Sequence, residues 1–319
     1  LLYVFLFACI YIGKRGMFTK WHLYLFLAAL AFGSINGIVQ FFNEVGILGR
    51  QAYHDRFPLR ITGTFSNSLT FTGFYGMSLF FVLPFLQARG TRFRILVAGL
   101  LLLLATALVL AFARGALLAG VLTSFLFVLM NRKYVIHFVL ILLLIVVVVF
   151  LFMPDYVSRF EVAFTEHLTV SGEQSRMVIW TAAWDFFTEN PFFGIGTGSF
   201  RTAYEIWKPS PEYEAVAHAH NQYLEALSTT GLLGFLAFMS ILFIIFRKLL
   251  RSIRQSGSAN AHPVIKGAFY ALVFLCLSSF FENHFSDEEV FNLFSMLIGL
   301  GLAYTNRSAQ KEYPSQTGF

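Results

Sequence analysis

The chain has 319 residues, of which 57% are hydrophobic, 18% aromatic and 13% charged. Since about 25% of the residues in an ordinary soluble domain are charged, this composition excludes a water-soluble protein for most of the length. The formal net charge is +6. The basic residues of the chain cluster in particular loops between apolar runs, which is typical of the topology of a membrane protein. We therefore expect a lipid bilayer and no nucleic acid among its partners.

Apolar runs long enough to cross a bilayer recur along the whole chain. A helix needs about 20 residues to cross a hydrocarbon core that is about 30 Å thick. Uninterrupted apolar runs favour helices over the alternating pattern of a barrel. We therefore predict an all-α polytopic membrane protein with about nine transmembrane helices. The predicted spans are about 1–13, 21–42, 67–87, 95–113, 115–131, 135–152, 231–246, 264–283 and 290–305.

The loops between these spans predict the orientation. Alternate loops hold most of the basic residues and, of the acidic ones, only Glu312, so the positive-inside rule makes them cytoplasmic. We expect one transmembrane domain over 1–305, a large outside loop over 153–230 and a cytoplasmic tail over 306–319. Because residue 1 lies within an apolar run without a basic segment before it, we expect further spans upstream and no signal peptide. The basic residues of the cytoplasmic set are Lys14, Arg15, Lys20, Arg89, Arg92, Arg94, Arg132, Lys133, Arg247, Lys248, Arg251, Arg254, Lys266, Arg307 and Lys311.

The long outside loop has two readable stretches. Residues Glu173–Glu189 have helical apolar spacing that ends at Asn190-Pro191, and Trp180 and Trp184 suggest an interfacial helix. Next comes PFFGIGTGSF, residues 191–200, whose glycines at alternate positions suit a tight turn. Phosphate contact is the alternative for this run, although no strand precedes it.

Three arginines on the outer side need an explanation. Arg114 lies between two apolar runs, where an unpaired charge costs about 2.5–3.5 kcal/mol at membrane depth. It either snorkels to the interface or binds an anion, since the planar guanidinium holds phosphate oxygens bidentately. Arg60 and Arg176 alone would be ordinary surface charges, but together the three arginines predict a diphosphate site.

The stretch HAHNQYLEALSTTGLLGF, residues 218–235, places His218, His220 and Asn221 before a span. No third metal ligand with recognisable spacing lies nearby, so we predict no metal and no cofactor. A neutral imidazole accepts a proton from a hydroxyl at neutral pH, which favours a general base. Asn221 suits a helix cap, and Glu225 would share a helix face with it. The alternative is a polar helix start without catalytic function.

The order and spacing of these motifs resemble the O-antigen ligase and Wzy-type polymerase superfamily over about residues 60–305. The match is strongest over 175–235. The residues that carry it are Arg60, Gly63, Thr64, Phe65 and Asn67; Ala113, Arg114 and Gly115; Ser175, Arg176 and Trp180; Asn190, Pro191, Gly194 and Gly196; His218, His220, Asn221, Tyr223 and Leu224; and Gly231, Leu232, Leu233 and Gly234. Ala113 stands where the family often has serine.

The resemblance implies a GT-C-like enzyme of the bacterial inner membrane that works at the periplasmic face without a metal. Such an enzyme moves a glycan from undecaprenyl diphosphate to an acceptor hydroxyl with inversion. The family's essential histidine corresponds to His220, with His218 beside it, and two of its arginines correspond to Arg114 and Arg176. Arg60, His218 and Asn221 are then expected to bind substrate.

The acceptor stays open among three reactions. A ligase uses lipid A core, a Wzy-type polymerase uses another carrier-linked glycan, and a protein O-oligosaccharyltransferase uses a protein hydroxyl. A lipid-linked anion transporter or flippase is an alternative from another class, although it should place ionisable residues near the bilayer midplane. A purely structural membrane anchor gives no reason for the ordered arginine and histidine set.

Overall fold

The computed structural model describes residues 2–52, 60–87, 90–136, 143, 174–210, 213, 216–257 and 260–312. Ten α-helices lie wholly within these residues, which also contain an isolated β-bridge from Val45 to Gln51 and no strand. The helices are α1 (Leu2–Arg15), α2 (Lys20–Asn43), α3 (Ser68–Val82), α4 (Thr91–Leu110), α5 (Arg114–Met130), α6 (Gln174–Glu189), α7 (Phe200–Trp207), α8 (Gln222–Ser256), α9 (Pro263–Ser278) and α10 (Glu288–Glu312).

Among the described residues, four segments are long and apolar enough to cross a membrane, and α5 and α9 are apolar but shorter. The protein is thus a multi-pass membrane protein. The predicted span 135–152 lies almost entirely outside the described residues, so nine spans remain a prediction. The predicted span 231–246 is the middle of a longer helix that continues at both ends. The four segments are Lys20–Asn43, Ser68–Gln87, Thr91–Leu110 and Gln222–Ser256.

The chain divides into two compact units. The first contains residues 1–130, 243–278 and 284–319, and the second contains residues 131–242 and 279–283. In the first unit α9 packs against α3, α5 and α10, while α1 packs along α10.

Glycines let the helices of the first unit approach closely, as is usual where helices pack in lipid. A Cβ at Gly76 of α3 would lie 2.1 Å from Phe274 Cζ of α9, and one at Gly267 would lie 2.3 Å from the Phe81 carbonyl oxygen. Lys266, assigned from the sequence to a cytoplasmic loop, is instead in the first turn of α9, where it is buried and donates to Gln87 Oε1.

The loop after α2 is tied to the first unit by Gln40, whose side chain is fully buried. Its Oε1 accepts from the backbone N–H groups of Thr62 and Gly63, at 2.8 Å each, and its Nε2 donates to the Arg50 carbonyl oxygen and Thr62 Oγ1. Because one amide satisfies four polar groups, the segment that follows Arg60 is held rigidly against α2.

The second unit has its own small core. Helices α6 and α7 pack through Ile179, Phe186, Phe200 and Tyr204, and this core also encloses Ala219 of the histidine stretch. The predicted helix Glu173–Glu189 is therefore confirmed, with bounds Gln174–Glu189. On it Trp184 is exposed, whereas Trp180, which donates to the Ala219 carbonyl oxygen, is half-buried.

Candidate active site

The segment between α7 and α8 carries the two histidines and is held from both sides at Ala219. The indole Nε1–H of Trp180 donates to the Ala219 carbonyl oxygen at 3.0 Å, and Glu225 Oε2 accepts from the Ala219 N–H at 2.8 Å. Ala219 itself is fully buried. Its neighbours His218 and His220 are therefore fixed in position by a side chain from α6 and one from α8.

Asn221 caps helix α8, as its sequence position predicts. Its Oδ1 accepts from the backbone N–H of Tyr223 at 3.0 Å and of Leu224 at 3.2 Å, which satisfies two of the donors that a helix start leaves open. In the next residue, the Gln222 N–H donates to the Ser279 carbonyl oxygen at 2.9 Å. This bond joins the histidine segment to residues 279–283 of the same unit.

His220 has a left-handed backbone, with φ of 48°. Such a conformation costs a residue with a Cβ about 1–2 kcal/mol relative to its ordinary regions. The hydrogen bonds on both flanking residues hold it there. Backbone strain of this kind concentrates at functional sites.

His218, His220 and Glu282 form one polar cluster, in which the two imidazole centroids are 4.4 Å apart. His220 Nδ1 lies 3.1 Å and 3.2 Å from the two carboxylate oxygens of Glu282, and His218 Nδ1 lies 3.6 Å from Oε1. The backbone N–H of His220 also donates to His218 Nδ1 at 3.2 Å. Glu282 is 8% exposed, so the imidazoles face a buried carboxylate.

The charge state of Glu282 follows from these contacts. Burial alone would raise the pKa of its carboxyl, but the hydrogen bond and positive charge of His220, with smaller effects of His218 and the Asn283 N–H, lower the pKa to about 2. Glu282 is thus ionised at neutral pH and acts only as an acceptor. The proton of a neutral His220 ring must then be on Nδ1, which leaves the lone pair on Nε2.

Glu282 lies 62 residues after His220, outside the motifs that carry the family resemblance. One signal could have found it. The predicted topology places Glu282 at the outer end of the span 264–283, on the side of the membrane assigned to the histidines. Nothing in the sequence shows that this end returns to the histidine segment.

The glycine turn after α6 completes a break in α8. Gly231 has φ 64° and ψ −171° inside this helix, so the carbonyl groups one turn earlier lose their helical donors. The Ile195 N–H donates to the Ser228 carbonyl oxygen at 2.9 Å, and the Gly196 N–H donates to that of Thr229 at 3.0 Å.

The donors on the other side of the break are satisfied by the same turn. The Leu232 N–H donates to the Pro191 carbonyl oxygen at 2.8 Å, and the Leu233 N–H donates to that of Phe192 at 3.3 Å. The expected tight turn at 191–200 is confirmed. Because the N–H groups of Ile195 and Gly196 already donate to carbonyl groups of α8, this turn is poorly suited to bind phosphate.

The three predicted arginines lie in different parts of the chain. Arg176 is half-buried in the second unit, one turn before Trp180 on α6, so the two share a helix face. Arg60 and Arg114 belong to the first unit. Arg60 is half-buried, and Arg114 is the exposed first residue of α5, where cationic side chains are not stabilised by the helix itself. Their joint role remains a prediction.

A comparison with known families bears on these residues. The family model described as O-antigen ligase matches residues 98–239. Over these residues the chain is similar to the O-antigen ligase family. The matched segment includes Arg114, Arg176, His218, His220 and Asn221, while Arg60 and Glu282 lie outside it. A search of curated proteins gave no match. Members of the O-antigen ligase family are glycosyltransferase-like enzymes, either ligases or polymerases.

Proposed function

We propose that the protein is a metal-independent, inverting glycosyltransferase of the inner membrane, acting at the periplasmic face as an O-antigen ligase. It would move a glycan from undecaprenyl diphosphate to a hydroxyl of lipid A core. The observation that carries the proposal is the pairing of His220 Nδ1 with the buried Glu282 carboxylate, at 3.1 Å. His220 lies within the segment that matches the O-antigen ligase family, and Glu282 lies outside it.

This pairing suits a general base. With its proton held on Nδ1 by Glu282, His220 offers the Nε2 lone pair to the acceptor hydroxyl. As the acceptor oxygen attacks the anomeric carbon, its proton passes to Nε2, and the bond from that carbon to the diphosphate oxygen breaks with inversion. Glu282 stabilises the imidazolium that forms, because it remains an anion throughout.

The leaving group is a lipid diphosphate, whose negative charge grows as the glycosidic bond breaks. Arg114 and Arg176 are proposed to neutralise that charge, and Arg60 to bind the donor, since a guanidinium remains charged at every relevant pH. His218 and Asn221 would act near the acceptor, His218 through its place beside the base and Asn221 through the cap that positions the segment.

The proposal is tested by transfer from a lipid-linked glycan in proteoliposomes. His220→Ala should lower the transfer rate by about 10²–10⁴-fold, because a positioned base contributes that much. His262→Ala is the matched control, since this exposed histidine stacks on Tyr304 outside the cluster. Near-normal transfer by correctly inserted His220→Ala would refute the base assignment. Movement of the lipid without transfer would favour the flippase.

The acceptor is tested in cells that lack their own ligase. Restoration of long polysaccharide on lipid A core supports the ligase. Chain lengthening on the carrier alone would instead identify a Wzy-type polymerase, and glycan on protein would identify a protein O-oligosaccharyltransferase.

A further inference from the structure

The cluster of His218, His220 and Glu282 has the composition of a transition-metal site, although the proposed catalysis uses its side chains without a metal. One nitrogen from each histidine and one carboxylate oxygen all lie within 4.8 Å of one another. We propose that a Zn²⁺ ion, or a similar borderline metal ion, binds these three side chains and switches the transferase off. The inhibitory part of this inference rests on the proposed function, whereas the binding part does not.

The donor set suits such an ion. Zinc takes imidazole nitrogen and carboxylate oxygen in a tetrahedral arrangement, and three protein ligands leave one position open to water. The carboxylate of Glu282 is buried and the imidazoles are neutral when they bind metal, so the site offers one negative charge to a divalent cation. A buried carboxylate facing two imidazoles gains from a cation between them.

The distances require only a local adjustment. Ligand atoms on tetrahedral zinc are about 3.3 Å apart, given bond lengths near 2.0–2.1 Å. The two separations from Glu282, 3.1 Å to His220 Nδ1 and 3.6 Å to His218 Nδ1, are already close to this value. The two imidazole rings must move closer to each other. The metal must also replace the hydrogen bond from the backbone N–H of His220 to His218 Nδ1.

Metal binding would remove the base by changing its tautomer. In the metal-free site, Glu282 holds the proton on His220 Nδ1 and leaves Nε2 as the acceptor. A metal on Nδ1 takes that lone pair, so the proton of the neutral ring must reside on Nε2. His220 then presents a donor where the reaction needs an acceptor.

Binding is measured first, on purified protein stripped with EDTA, by competition for Zn²⁺ with a chromophoric chelator. We expect one equivalent to bind, and His218→Ala and Glu282→Gln each to weaken the affinity at least about tenfold. The control His262→Ala should bind Zn²⁺ like the wild type, and thermal unfolding shows that the variants are folded. Equal affinity of wild type, His218→Ala and Glu282→Gln would overturn the proposal.

Inhibition is measured next, in the proteoliposome transfer assay. Zn²⁺ should stop wild-type transfer at the concentration that saturates the measured site, and EDTA should restore it. Saturated protein that still transfers glycan at the full rate would overturn the tautomer argument. Active His220→Ala refutes the proposed base instead, and it leaves the binding result intact, so the two failures are distinguishable.

Discussion

At the scale of the residue, the proposed chemistry depends on an imidazole whose two nitrogens have different environments. His220 is fixed by its left-handed backbone and by the bonds at Ala219, and Glu282 faces its Nδ1 at 3.1 Å. Sequence comparison selects His220 over His218, but it does not say which nitrogen is free. The acidic partner decides that, and it comes from a distant part of the chain.

Replacement of Glu282 tests this pairing. Glu282→Gln should lower kcat by about 10²–10⁴-fold with little change in KM, because the amide neither stabilises the imidazolium nor fixes the tautomer. Transfer kinetics with lipid-linked donor measure it. Glu288→Gln, which neutralises an exposed carboxylate on α10, is the control and should keep wild-type kinetics. An unchanged kcat in Glu282→Gln would contradict the proposed role.

At the scale of the element, helix α6 positions the histidine segment through one indole. Trp180 of α6 donates to the Ala219 carbonyl oxygen at 3.0 Å, and Trp207 of α7 donates to Asp185 Oδ2 at 3.1 Å. Both bonds belong to the second unit, but only the first reaches the residue between the two histidines. The two tryptophans therefore form a matched pair.

Substitution of this pair separates positioning from stability. Trp180→Phe and Trp207→Phe should each destabilise the protein by about 1–3 kcal/mol, since each leaves an acceptor without its donor. Only Trp180→Phe should also lower kcat, because the histidine segment loses one of its two supports. Thermal unfolding in detergent and transfer kinetics measure the two effects. Equal losses of kcat in both variants would indicate a general effect of stability.

The break in α8 is the second feature at this scale. A Cβ at Gly231 would lie 2.3 Å from the Phe192 carbonyl carbon, whereas one at Gly198, with a similar positive φ, would meet nothing within 4 Å. The break thus combines a backbone requirement with a steric one. The steric part comes from the turn that supplies the missing hydrogen bonds.

Three alanine substitutions separate these requirements. Gly99→Ala, in open space on α4, should be neutral or slightly stabilising. Gly198→Ala should cost about 1–2 kcal/mol for its left-handed backbone alone. Gly231→Ala should cost more than that, because turn and helix must also separate. Thermal unfolding ranks the three, and a Gly231→Ala variant as stable as Gly198→Ala would show that the contact with Phe192 is dispensable.

At the scale of the whole molecule, the sequence predicts which end of α8 faces outward. The histidine segment precedes the helix, and Arg247, Lys248, Arg251 and Arg254 lie near its end. The positive-inside rule then places residue 256 in the cytoplasm and residue 217 in the periplasm. The loop 153–230 and the tail 306–319 take their predicted sides from the same rule.

Cysteine labelling tests this orientation. In a chain with Cys9 and Cys276 replaced by alanine, Ala217→Cys should react with a membrane-impermeant maleimide in intact spheroplasts. Ser256→Cys should react only after the membrane is opened, because four basic residues keep its end of α8 inside. Labelling of Ser256→Cys in intact spheroplasts would reverse the predicted topology.

The sequence by itself determined the class of protein, the helical segments predicted near 21–42, 67–87 and 95–113, the helix predicted over 173–189, the cap at Asn221 and the resemblance to the O-antigen ligase family. These properties depend on local composition and short-range spacing, since a bilayer imposes length and hydropathy on each helix separately. Motif order is likewise a property of the linear chain.

Only the tertiary structure decided which groups meet. It brought Glu282 to His220 across 62 residues, closed the break at Gly231 with the turn at Pro191–Gly196, and gave Ala219 its two supports. Such contacts depend on chain segments distant in sequence. The sequence around a carboxylate at the end of a span does not indicate which residue the carboxylate will contact. Hydrogen bonds and charge pairs depend on distances of a few ångströms in space and not on separation along the chain.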